Sequence, residues 1–64
     1  MDTVKLNVRA IAANEKMSIE KLAEKCDIDP SHLKSVSSGR TVMTARDLIQ
    51  LALNTGISPY NIQY

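Results

Sequence analysis

Several residue types that usually support a fold or a catalytic site are scarce in this chain. Its 64 residues include no Phe, no Trp, a single Cys, two Gly and two Pro. A lone Cys26 excludes an internal disulfide, and no Cys/His cluster has the spacing of a metal site. Leu, Ile, Val, Ala and Met must therefore fill one small core by packing alone, in a single domain over residues 1–64.

The chain also lacks a large excess of positive or of negative charge. The formal net charge is +1, whereas a dedicated DNA-binding domain usually carries a marked basic excess. Any DNA-binding face must arise from local clustering of the eight Lys and Arg residues. No secretory signal opens the chain and no segment is long enough to span a membrane. We therefore expect a cytoplasmic protein with no membrane partner.

Apolar residues recur at helical spacing, and the residues between these stripes are typical helix caps. Val4, Val8, Ile11 and Ala12 predict a first helix over about residues 3–14. Ser18 is a good N-cap for a second helix over about 18–26, which Asp27 ends. The sequence therefore begins with two short amphipathic helices.

The second half of the chain repeats this pattern. Asp29-Pro30 starts a third helix over about 30–37, which Gly39 closes. Thr44, with Asp47 three residues later, resembles the capping box of a fourth helix that Gly56 ends. Ser58-Pro59 then opens a short terminal turn, counted as the fifth helix, in which Ile62 can pack back. The fold class predicted is all-α, with five short helices and a core formed by Leu22, Ala23, Ile28, Leu33, Val36, Leu48, Leu51 and Ala52.

The second and third helices carry the most informative spacing. They are joined by a turn of three to four residues, with the small Ala23 where two helices cross and Ile28 inserted from the turn into the core. This is the helix-turn-helix arrangement. The second helix of such a unit can lie in the DNA major groove with its N-terminal residues at base edges.

Residues 4–62 resemble the Cro/repressor-type helix-turn-helix family of phages and bacteria. The matching residues are Met17-Ser18, Lys21-Leu22-Ala23-Glu24-Lys25, Ile28, Ser31, Leu33, Val36, Gly39-Arg40, Leu48, Leu51-Ala52 and Gly56-Ile57-Ser58. The resemblance implies a lambda-repressor-like domain of five helices. It also implies that the third helix, over residues 30–37, reads operator DNA, commonly as a dimer.

The chain departs from the family pattern where helix 2 begins. Ile19 stands where the family often has a Gln that holds a DNA phosphate, and Asp27 replaces the turn glycine. The Glu-Asn pair before the later glycine is Ser37-Ser38, and the helix 1 arginine that often pairs with that Glu is Ala12. The apolar Ile19 gives a DNA-facing surface no hydrogen bond.

The candidate DNA-binding residues lie on and just after the third helix. Ser31 is placed best for a base edge, and Lys34 and Ser35 point away from Leu33 and Val36. The full candidate set is Pro30, Ser31, His32, Lys34, Ser35, Arg40 and Arg46. We expect His32 to be exposed, where it either contacts DNA or is solvated. Arg40 and Arg46 either bind DNA phosphates or are solvated surface charges. Cys26 is expected to be a buried structural thiol.

Five apolar residues fall outside the predicted core stripes: Leu6, Ile19, Val42, Met43 and Leu53. They form either a protein interface or a partly buried layer of the fold.

Two functions follow. In the first, the chain is a sequence-specific transcription regulator that binds operator DNA as a homodimer. In the second, it is a small phage modulator of repression that forms a heterocomplex with a repressor protein through Ile19, Val42 and Met43. An enzyme is not expected, since no nucleophile-base pair, metal cluster or glycine-rich phosphate loop is present. No cofactor and no small-molecule substrate is expected either.

Overall fold

The computed structural model describes residues 5–63, which form four α-helices and one 3₁₀ turn. The helices are α1 (Val8–Asn14), α2 (Ile19–Lys25), α3 (Pro30–Ser37) and α4 (Ala45–Thr55), followed by a single 3₁₀ turn, η1 (Pro59–Asn61). No β-strand occurs among residues 5–63, where the only pairing of extended backbone is one parallel bridge between Leu6 and Ile62. The all-α class is confirmed. The predicted fifth helix is wrong, because the segment after Ser58 closes only one 3₁₀ turn.

The predicted caps of the later helices are confirmed. The Ser18 side chain accepts a hydrogen bond from the Lys21 N–H, and Asp29 accepts one from the His32 N–H. Thr44 and Asp47 form a reciprocal capping box at the start of α4. These side chains satisfy backbone N–H groups that have no partner within their helix, so they fix where each helix begins.

The first helix starts later than its apolar pattern predicts. Asn7 is the N-cap of α1, with its side chain accepting from the Ala10 N–H at 2.8 Å. Just before it, the Leu6 N–H donates to the Asn61 carbonyl at 2.7 Å and the Gln63 N–H donates to the Leu6 carbonyl at 2.8 Å. This pairing holds the segment extended, so the predicted start near residue 3 is wrong. Val4, at the head of the predicted stripe, lies outside the described residues.

One hydrophobic core joins all four helices. Its buried members are Val8, Ile11, Ala12, Leu22, Ala23, Cys26, Ile28, Leu33, Met43, Leu51 and Ile62. Five of the eight predicted core residues belong to this set, while Val36, Leu48 and Ala52 are half-buried and pack against it. Ile62 is fully buried, so the chain end does pack back as predicted.

Two residues with positive φ end α2 and α4. Asp27 adopts φ +56° in the turn after α2, as the tolerance of Asp for left-handed geometry predicts. Gly56 adopts φ +75° as the C-cap of α4, where a Cβ would add strain. Among residues 5–63, no helix is long and apolar enough to cross a membrane.

Candidate functional site

Helices α2 and α3 are joined by the four residues 26–29 and pack directly on each other. The Ile28 N–H donates to the Ala23 carbonyl at 2.9 Å, which folds the turn back onto α2. Ile28 itself is buried, and Ala23 is fully buried where the helices meet. This turn places α3 with Leu33 facing the core and the opposite side of the helix open to solvent.

The open side of α3 forms a polar cleft, which we call the α3 cleft. It has a volume of about 410 Å³ and is lined by Ser31, Lys34, Ser35, Ser38 and Arg40. The four residues from α3 and its C-cap are spaced by three and four positions, so they share one helix face. Arg40 joins them because Gly39, at φ +81°, turns the chain and the Arg40 N–H donates to the Ser35 carbonyl at 2.9 Å.

Lys34, the central cation of the α3 cleft, is paired with a carboxylate of the preceding helix. Its ammonium donates to Glu20 in the first turn of α2, and both side chains are more than half exposed. The hydrogen bond from Lys34, together with its positive charge, lowers the pKa of Glu20. The pair therefore brings a negative charge to the rim of the face that was predicted to meet DNA.

Arg46 is also held within the protein. Its Nη1 and Nη2 both donate to the Asp27 carbonyl at 3.2 Å, and Nη2 lies 3.4 Å from the Asp27 carboxylate. The guanidinium therefore fastens the start of α4 to the left-handed residue of the α2–α3 turn. Arg40 is exposed, and it is the cleft cation that forms no ion pair with another residue of the described range 5–63.

His32 is not the free surface residue that the sequence predicts. Its Nε2–H donates to Asp47 Oδ2 at 2.6 Å, and its side chain is about one third exposed. Burial alone raises the pKa of Asp47, but hydrogen bonds from the Thr44 backbone, the His32 ring and the Thr44 hydroxyl outweigh it and lower that pKa. The ring thus links α3 to the capping box of α4. Pro30, at the first position of α3, is half-buried and does not line the cleft.

The five apolar residues outside the predicted stripes divide into two groups. Met43 is buried in the core, and Leu6 and Ile19 are half-buried and pack against it. Val42 is 80% exposed and Leu53 is 74% exposed. A continuous surface of Ile19, Val42 and Met43 is therefore wrong, because the loop between α3 and α4 turns Met43 inward while Val42 points outward.

Cys26 and the acidic residues offer no reactive or metal-binding arrangement among residues 5–63. The Cys26 side chain is fully buried, as predicted, and burial raises the pKa of its thiol, which keeps it protonated and unreactive. No group of three or more His, Cys, Asp or Glu side chains within the described range is arranged to hold a metal ion.

Two features of the site were missed by the sequence analysis. Ser38 lines the α3 cleft, and its position three residues after Ser35 was a signal that could have identified it. The pairing of Lys34 with Glu20 joins residues that are 14 positions apart. No local pattern indicates such a contact, because it depends on how α2 and α3 cross.

Comparison with protein-family models, with curated proteins and with solved structures finds no match to this chain.

Proposed function

We propose that this chain is a sequence-specific DNA-binding regulator of the Cro/repressor-like helix-turn-helix type, which inserts α3 into the major groove. The observation that carries the proposal is the α3 cleft. Its four helix-face residues are small or cationic, solvent-accessible and free of acidic side chains. The proposal assigns the protein no catalytic activity.

The dimensions of α3 suit a major groove. An α-helix with its side chains is about 10–12 Å in diameter, which is close to the width of the groove, about 12 Å. Ser31 lies in the first turn of α3, where a recognition helix contacts base edges. Serine hydroxyls bond several base edges, and lysine donates to the O6 and N7 acceptors of guanine. Arg40, at the far end of the cleft, is then placed for a backbone phosphate.

The ion pair of Lys34 with Glu20 competes with any contact of Lys34 to DNA. Lys34 must leave Glu20, or share its ammonium with it, before it can meet DNA. An exposed pair of this kind contributes little to stability, so a phosphate or guanine can replace the carboxylate. Because Glu20 stays near the DNA and repels it, we expect modest affinity that depends strongly on salt.

The second candidate, a modulator that binds a repressor protein, is favoured by the same ion pairs. Lys34 and Arg46 are both engaged with carboxylates, which reduces the positive potential that attracts DNA. The exposed Val42, close to the end of α3, offers one apolar contact for a protein. With Met43 buried and Ile19 half-buried, this candidate has a smaller apolar surface than the sequence predicts.

Selection from a pool of random DNA duplexes tests the proposal. The purified chain should enrich a short common motif, and duplexes with that motif should bind more tightly than scrambled duplexes of equal length in titrations at one salt concentration. The Glu20→Gln variant should bind the motif more tightly, since it frees Lys34 and removes a repulsive charge. If no motif is enriched and binding to all duplexes is equal, the proposal is contradicted.

A further inference from the structure

Lys34, in the middle of the α3 cleft, has a carboxylate beside it that no DNA contact requires. That carboxylate belongs to Glu20, in the first turn of α2, which does not itself line the cleft. Both side chains are more than half exposed. A lysine ammonium carries three donors, and the contact with Glu20 is a single hydrogen bond. Lys34 therefore keeps donors for a second acceptor while it stays paired with Glu20.

The ion pair changes the kind of acceptor that Lys34 attracts. A free ammonium attracts a DNA phosphate strongly, since each carries a full charge. When Lys34 is paired, its charge is cancelled by that of Glu20, and a phosphate that approaches the ammonium also meets the negative carboxylate. Like charges placed side by side are unfavourable. The O6 and N7 atoms of guanine belong to a neutral base, so they accept from the remaining donors without that repulsion.

Arg40 provides a contrast within the same cleft. It is exposed, and it forms no ion pair with another residue of the described range 5–63. A guanidinium without a carboxylate beside it is suited to a phosphate, to which it donates two parallel hydrogen bonds. The α3 cleft thus contains one cation suited to the DNA backbone and one suited to a base edge.

We infer that Lys34 binds a guanine while it remains paired with Glu20, and that Glu20 determines specificity by keeping Lys34 from phosphates. This inference rests on the proposed DNA binding through the α3 cleft. Every DNA sequence offers phosphates, whereas a guanine at one fixed position occurs only in the recognised motif. A carboxylate that weakens the phosphate contact and spares the guanine contact therefore lowers binding to unrelated DNA more than binding to the motif.

Titration of two fluorescent duplexes at one salt concentration tests the inference. One duplex carries the selected motif, and the other carries the same bases in scrambled order. Glu20→Gln should tighten binding to the scrambled duplex more than binding to the motif, so that the ratio of the two affinities falls by about fivefold or more. Glu24→Gln is the matched control, because it removes the same charge from an exposed position that pairs with Lys21 one turn further along α2. Its ratio should equal that of the wild type.

Selection from random duplexes with Lys34→Met gives a second readout. This variant removes the ammonium and keeps an unbranched side chain that is favourable in a helix. Its selected motif should lose the preference for guanine at one position and keep the preferences at the other positions.

Three results would overturn the inference while DNA binding itself stands: an affinity ratio that Glu20→Gln leaves unchanged, an equal fall in Glu24→Gln, or a Lys34→Met motif that keeps every guanine. A wild-type chain that binds both duplexes equally would instead contradict the DNA-binding proposal, and this inference with it. Circular dichroism of each variant separates altered recognition from loss of folding.

Discussion

At the scale of single residues, the hydrogen bond between His32 and Asp47 joins the proposed recognition helix α3 to the start of α4. Asp47 is nearly fully buried and accepts hydrogen bonds from both the Thr44 N–H and the His32 ring. His32 comes from α3, the helix whose exposed face forms the α3 cleft. The pair therefore holds the proposed recognition helix against the start of α4. The two residues are 15 positions apart, which is why the sequence predicts a free histidine.

Asp47→Asn should destabilise the protein by about 1–3 kcal/mol at neutral pH. The reason is that the Thr44 N–H and the His32 ring would lose the buried carboxylate that accepts their hydrogen bonds. The folded state lowers the pKa of Asp47. Its stabilising effect is therefore present above the unfolded pKa of about 3.9 and is lost as the pH falls through the folded pKa. Urea unfolding at a series of pH values should show the difference between wild type and variant shrinking in acid.

Asp29→Asn is the control for this prediction. It makes the same substitution at the N-cap of α3, where Asn caps as well as Asp, so the unfolding free energy should change little. Parallel stability curves for the wild type and Asp47→Asn from neutral pH into acid would contradict the role given to Asp47.

At the scale of the elements, local signals predict the later helices well. The starts of α2, α3 and α4 are confirmed because Ser18, Asp29 and Thr44 cap them through side chains only a few residues away. The start of α1 was not predictable in this way, since the bridge of Leu6 to Ile62 joins opposite ends of the chain. Whether Met43 belongs to a protein interface or to a partly buried layer was left open by the sequence, because Met43 lies between helices, where no periodicity indicates a direction.

Helix α4 allows a direct test of the faces assigned to it. Leu51→Ala removes a fully buried side chain and should lower the free energy of unfolding by about 2–5 kcal/mol. Leu53→Ala makes the same change in the same helix at an exposed position and should cost less than about 0.5 kcal/mol. Both should be measured by urea unfolding at a protein concentration where the chain is monomeric. Equal losses in the two variants would mean that the faces are wrongly assigned.

At the scale of the whole molecule, half of the eight Lys and Arg residues form ion pairs within the fold. Four of the cations in residues 5–63 pair with carboxylates: Lys21, Lys25, Lys34 and Arg46. Many of the opposite charges that nearly cancel in the sequence therefore also lie next to each other in the fold. As a result, α3 presents a polar face with little excess positive charge. The sequence predicted which side of α3 is open, but not that Glu20 would lie beside Lys34.

The central claim is that the α3 cleft is the DNA-binding face, and titration of a fluorescent duplex carrying the selected motif tests it most directly. The combined variant Ser31→Ala, Lys34→Ala, Ser35→Ala should bind at least tenfold more weakly, since one good base contact contributes about 1–3 kcal/mol. Its dependence on salt should also be shallower if Lys34 meets a phosphate. Arg9→Ala removes the same charge from the exposed side of α1 and should bind like the wild type. Unchanged affinity in the combined variant, or an equal loss in Arg9→Ala, would contradict the account.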